Sequence, residues 1–215
     1  MQFKALPPDV QADIKSLWTS YQQSLKESEA FLFGMGNPVL VKAAIDNVEF
    51  GKKLPKDFYF HISQEPLLPP LLRLVVFAAR QIVGDVECDL IKISTDGRKV
   101  SFLRYPNFDR VPHPELNYRV KVYLPKAAHS FQDYADSTNP PVLHRKEAFL
   151  NELHPDYGRC LQLTEHEEEL GLLSRADIGL RNGWHAALAE KNLSENDYEL
   201  VPLGTGTPAS EEQRC

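Results

Sequence analysis

The chain has 215 residues, 42% hydrophobic and 25% charged, which is apolar material enough for a core without disulfide staples. With 30 acidic against 24 basic residues the net charge is −6. That excludes a free-standing, generally basic nucleic-acid binder unless a local patch or a partner supplies the charge. Cys88, Cys160 and Cys215 are far apart with no CxxC pair, so neither a zinc knuckle nor a disulfide framework is expected, and the usage fits a reducing cytoplasm. The start, MQFKALPPDV, carries no apolar signal-peptide region. The apolar run from Pro66 to Val83 is broken by Arg73, Arg80 and Gln81, too short and polar for a membrane span. A soluble cytoplasmic protein is expected.

Pro7-Pro8-Asp9 opens a helix, and Val10, Ile14, Leu17, Trp18, Tyr21 and Leu25 fall on one face of it. This predicts one amphipathic helix to about Phe33, stopped by Gly34-Met35-Gly36. Asn37-Pro38 starts a second helix, with Val41, Ala44, Ile45 and Val48 inward. Phe58 to Ile62 reads as a short strand, and His61 within it as a hydrogen-bonded structural histidine. From Pro70 to Gly84 the sequence predicts a helix apolar on nearly every side and therefore buried in the middle of its domain. Asp89–Thr95 and Lys99–Tyr105, joined by Asp96-Gly97, form a hairpin signal. Tyr118 to Leu124 adds a third strand. Helices follow over 155–173 and 182–193, and Tyr198 to Leu203 reads as an edge strand. The acidic run Glu165, Glu167, Glu168, Glu169 reads as a solvated helix face.

These elements predict an α+β fold: a short antiparallel sheet with a buried central helix and flanking amphipathic helices, in one domain over residues 1–203. Residues 204–215 are expected to form a flexible tail. There is no Gly-rich fingerprint and no HExxH, GxSxG or Walker pattern, so no cofactor is expected.

The groups able to do chemistry concentrate between Lys99 and Leu150. Arg104, Tyr105, Asp109 and His113 lie on or beside a proline-stiffened loop, and Asp133, His144, Arg145, Lys146 and Glu147 follow the sheet. If 144–147 is extended, His144 and Lys146 face one side and Arg145 and Glu147 the other, which suits a phosphate or carboxylate. The alternative is a solvated turn into a helix. Asp109 and His113 suit metal ligation or acid–base work if His144 or Asp133 comes close; otherwise Asp109 makes an Asx-turn and His113 stacks between prolines. The loop 105–113 and the segment 144–147 are expected to converge on one surface, with Asp109 orienting Arg145 or His144 and Lys146 left free for an anion.

The stretches KVSFLRYPNFD, PHPEL, FQDYADSTNPPVLHRKEAFL, LTEHEEELGLL and IGLRNGW resemble the C-terminal region of the DNA phosphorothioation-associated methyltransferases. LPPDVQADIKSLWTSY and GKKLPKDFYFHIS resemble that region too. The most specific piece is Asn139 to Glu147. The family's methyl-transfer chemistry is assigned to an N-terminal domain, and this chain carries none of its motifs, so that activity does not carry over. The resemblance implies a non-catalytic recognition or accessory module of bacterial DNA modification or defence, partnered by DNA or by a DNA-modification protein. Two other readings stand beside it: a metal-dependent hydrolase or nuclease using Asp109, His113, His144 and Glu147, and a protein-interaction module docking on a separate methyltransferase.

Overall fold

A computed structural model describes residues 2–203. Six strands make one antiparallel meander in chain order: β1 (Lys52–Lys53), β2 (Asp57–His61), β3 (Leu90–Ser94), β4 (Lys99–Arg104), β5 (Tyr118–Tyr123) and β6 (Ala128–Asp133). The expected hairpin is β3–β4, with Ile91 opposite Phe102 and Ile93 opposite Val100. Its turn needs glycine: Gly97 has φ +71°, and a Cβ there would fall 2.9 Å from Val41.

Alternation along each strand gives the sheet two buried faces. Phe60, Ile91, Phe102 and Val120 form one cross-strand row and Phe58, Ile93, Val100 and Val122 the next. Both rows lie in a cluster with helix α3 (Pro38–Asp46) and helix α4 (Pro70–Val83). Burying each such side chain stabilises the fold by about 1.5–3 kcal/mol relative to leaving it exposed. On the opposite face Leu90 and Leu103 pack with Tyr105, Phe108, Leu116, Leu143, Phe149, Leu150 and Cys160. A third cluster gathers Leu163, Leu172, Trp184, Ala187, Leu188 and Leu200 from helix α5 (Tyr157–Glu169), the 3₁₀ turn Leu172–Ser174, helix α6 (Arg181–Glu190) and the hairpin β7 (Leu193–Asn196) to β8 (Glu199–Pro202).

The fold is therefore α+β, with several differences from the sequence expectation. The sheet extends beyond Asp89–Leu124 on both sides. β6 gave no signal because all six of its residues are exposed at the sheet edge, so no buried face imposes alternation. The first long helix is two: α1 (Pro8–Leu17) and α2 (Tyr21–Gly34), separated where Ser20 caps α2 by accepting from the Gln23 N–H. α4 buries Leu71, Leu72, Val75, Val76 and Ala79 on the sheet, whereas Arg73 and Phe77 face outward; it is one-sided rather than enclosed. The strand expected near Tyr198 pairs with β7 and not with the main sheet. Among the described residues no helix is long and apolar enough to cross a membrane. The expected tail, 204–215, lies outside the described residues.

Candidate functional site

The segment 140–144 is the strut that assembles the polar centre. Leu116 N–H donates to the Pro141 carbonyl and Leu143 N–H to that of Pro114, while Val142 N–H donates to Gly179 and Arg181 N–H to Pro140. The strut thus runs between the β4–β5 loop and the start of α6. It sets His113 and His144 with ring centroids 4.8 Å apart, and Trp184 packs on both, at 4.4 Å from His113 and 5.0 Å from His144.

His113 bridges two carboxylates. Its Nδ1 lies 2.6 Å from Glu195 Oε2 and its Nε2 2.7 Å from Glu167 Oε1. The Glu167 contact is an ion-pair distance off the hydrogen-bond direction, so neither Glu167 oxygen receives an aligned hydrogen bond. Glu195 Oε2 also accepts from Trp184 Nε1–H at 3.2 Å. Burial opposes the charged ring of His113, but the two carboxylates outweigh it and raise its pKa to about 9. His144 behaves oppositely. Burial, reinforced by its neighbour His113, pushes it down to about 4, while its bond to the Ile178 carbonyl opposes the shift. That bond is 2.8 Å from Nε2 to a group that only accepts, so Nε2 carries the proton and Nδ1 is a bare lone pair, buried without a partner. One ligand atom each from Glu167, His113 and His144 lies within 4.8 Å of the others. The group can hold a proton or a cation.

The two segments meet, but in the interior rather than on the shared surface expected, and through partners other than those anticipated. Arg145 adopts a left-handed backbone, φ 55° and ψ 51°, and the chain turns there into the 3₁₀ turn Lys146–Phe149. The extended alternation of 144–147 is thereby overturned: Arg145 points out to pair with Glu168, and Lys146 and Glu147 both turn inward. Lys146 is not free for an anion. It is 2% exposed and its Nζ donates to the Phe108 and Val111 carbonyls and to the Tyr198 hydroxyl. Burial lowers its pKa against nearby Cys160 and Asp156. Glu147 accepts from the Thr164 hydroxyl at 2.8 Å, and burial raises its pKa.

The remaining candidates separate. Asp109 is exposed and orients neither Arg145 nor His144; its backbone carbonyl accepts from Arg159. With Asp109 and Glu147 outside the metal-sized cluster, the four-residue site Asp109, His113, His144 and Glu147 is not assembled as expected. Arg104 holds Asp89 through one terminal nitrogen at 2.9 and 3.1 Å, and Tyr105 donates its backbone N–H to the same carboxylate while its ring is buried. Asp133 makes an Asx-turn to the Ala135 N–H.

Sequence reasoning missed Glu167 and Glu195. Glu167 was hidden in the acidic run, yet Cys160, Leu163, Thr164 and Glu167 share one stripe of α5, and all four are buried. That spacing was the available signal. Glu195 comes from the β7–β8 hairpin, where nothing local marks it. Beside the cluster lies a cleft of about 660 Å³ lined by His113, Glu115, Arg181, Trp184 and Glu195 among others. Elsewhere, Phe31, Leu32, Leu74 and Phe77 line an apolar groove of about 530 Å³ between α2 and α4, with Arg73 also in its lining.

Comparison with family models, curated proteins and solved structures finds no match for this chain.

Proposed function

We propose that this chain is a non-catalytic accessory module of bacterial DNA modification or defence that docks on a separately encoded DNA-modification protein, a methyltransferase by preference. The observation that carries the docking is the apolar groove: Phe31, Leu32 and Phe77 are 43%, 55% and 58% exposed along two neighbouring helices. Exposed large apolar side chains in a contiguous groove cost solubility unless a partner covers them. A groove between two helices accepts the apolar face of a third, and Arg73 in its lining suits an acidic residue on that helix. The setting in DNA modification rests on the resemblance of the Asn139–Glu147 region and its neighbours. Direct DNA binding is the weaker reading, because the net charge is −6 and the basic residues of the His144–Lys146 cluster are consumed by internal bonds.

The test is to mix the purified chain with DNA methyltransferases from the same organism and measure complex formation by light scattering. A stable complex lost in the Phe31→Asp/Phe77→Asp variant is the expected result. Absence of such a complex overturns the reading. Salt-dependent binding of a DNA duplex that the double variant leaves unchanged also overturns it, in favour of direct DNA recognition.

A further inference from the structure

The polar centre described above has the anatomy of a metal site, and this holds whether or not the docking reading survives. We propose that His113 Nε2, His144 Nδ1 and the Glu167 carboxylate bind one divalent transition-metal ion of the zinc type.

Three observations converge. First, two of the three groups, His144 and Glu167, carry buried acceptor atoms with no aligned hydrogen bond. Glu167 has no exposure and neither of its oxygens has an aligned hydrogen bond, while His144 Nδ1 is a buried lone pair with no partner. Buried acceptors of this kind are costly to leave unsatisfied; a proton on His113 Nε2 meets Glu167 at 2.7 Å but leaves His144 Nδ1 with no donor. A cation satisfies all three at once.

Second, the outer nitrogen of each histidine is already tied down. Glu195 takes His113 Nδ1 at 2.6 Å, and the Ile178 carbonyl takes His144 Nε2 at 2.8 Å. A carboxylate or a backbone carbonyl on the far nitrogen is how metal-binding histidines are oriented and made more basic. Glu195 is held in its turn by the Trp184 indole. The three ligands also come from three separate segments (the β4–β5 loop, the 140–144 strut and α5), so a metal would add one more tie to those made by the Leu143–Pro114, Lys146–Val111 and Thr164–Glu147 hydrogen bonds.

Third, size and charge fit. One ligand atom from each residue lies within 4.8 Å of the others, and His113 Nε2 and Glu167 Oε1 stand at 2.7 Å. Two ligands at zinc bond lengths in a tetrahedron stand about 3.3 Å apart. Adjustments of about 1 Å or somewhat more bring the set onto a common centre. Two imidazoles and one carboxylate favour zinc-type ions over magnesium or calcium, which prefer all-oxygen shells. A divalent charge with neutral histidines balances Glu167 and Glu195 together. Glu167 was invisible in the sequence as a ligand, which is why the site cannot be read from motif spacing.

The experiment uses the tag-free chain covering all 215 residues, stripped with a chelator and reloaded with Zn²⁺ or Co²⁺. Expected are about one equivalent of zinc by elemental analysis, visible Co²⁺ bands of a four-coordinate nitrogen/oxygen site, and a melting temperature raised by several degrees. The Co²⁺ spectrum should lack a thiolate band, which separates this site from adventitious capture by the cysteines. Glu167→Gln and His144→Phe should weaken Co²⁺ binding at least about a hundredfold, and Glu195→Gln about ten- to a hundredfold by releasing His113. Circular dichroism and a cooperative melt establish that each variant is folded. Should a ligand variant fail to fold, the wild-type stoichiometry, spectrum and melt still decide. A wild-type chain that takes up no stoichiometric metal and melts unchanged overturns the proposal. So does uptake with a thiolate band that Glu167→Gln leaves intact.

Discussion

Lys146 Nζ stands 4.7 Å from the centroid of the Phe108 ring and donates to the carbonyl oxygens of Phe108 and Val111, the latter at 3.1 Å. One ammonium therefore fastens the β4–β5 loop to the turn after the 140–144 strut. The Tyr198 hydroxyl, at 2.8 Å, brings the last hairpin into the same knot. Lys146→Ala strands these acceptors in a buried place and opens a cavity. The expected cost is about 2–4 kcal/mol in urea unfolding. A loss below about 0.5 kcal/mol would return Lys146 to the class of free surface cations.

His61 offers a pH handle remote from the polar centre. Ser63 N–H approaches its Nδ1 at 3.4 Å, the Ser63 hydroxyl lies 2.8 Å away, and the ring stacks on Phe108 at 4.8 Å. Burial pushes its pKa from the ordinary 6.5 to about 4; Asp109 opposes the shift, and His154 and Lys146 add to it. The folded pKa is below the unfolded one, so the unfolded chain takes the proton first. Stability from this group is therefore full above about pH 6.5, declines as pH falls toward 4, and levels off below that, with a slope of at most about 1.4 kcal/mol per pH unit. His61→Phe keeps the stack and removes the titration. Its stability should lie offset from wild type but fall less steeply across that window. His144, held low as well, titrates in both proteins and cancels from the difference. Parallel curves would show that His61 is not the group responsible.

The groove variants carry a stability prediction of their own. Phe31 and Phe77 are about half exposed, so Phe31→Asp and Phe77→Asp remove only part of a side chain's burial. Each should lower unfolding free energy by about 1 kcal/mol and raise solubility at high concentration. A loss above about 2 kcal/mol in either would mean that the groove is part of the core.

Periodicity and turn chemistry made much of this fold legible. Asp96-Gly97 announced the β3–β4 hairpin, and Asn37 and Pro70 marked helix starts that the structure has. What escaped had no local signature. β6 is an edge strand exposed on both faces, and the break between α1 and α2 turns on Ser20, a cap inside an uninterrupted apolar stripe. The polar centre was half legible. His113, His144, Lys146 and Glu147 stood out as polar groups between prolines, but their partners come from 17 to 82 residues away along the chain. A sequence marks which groups need partners more readily than it marks who the partners are. Arg145 shows the limit: its left-handed backbone reversed the predicted sides of the cluster, and no glycine or asparagine advertised it.

The tightest site among the described glycines gives the last prediction. Gly183 sits in the first turn of α6, where a Cβ would fall 2.0 Å from the Asp177 carbonyl oxygen and 2.5 Å from its carbon. Only glycine lets α6 lie this near the preceding loop. That loop supplies the Ile178 carbonyl to His144, and the next residue of the helix, Trp184, reaches Glu195. Gly183→Ala must therefore push the helix from backbone that has no flexible end to yield. The expected cost is about 2–3 kcal/mol, despite alanine's better helix propensity. The displacement should also move the indole N–H resonance of Trp184, which reports its bond to Glu195. Gly158→Ala, on α5 with nothing within 4 Å of the new Cβ, is the matched control and should be neutral or stabilising by up to about 1 kcal/mol. If both substitutions behave alike, the tight packing of α6 is not what positions the histidine pair.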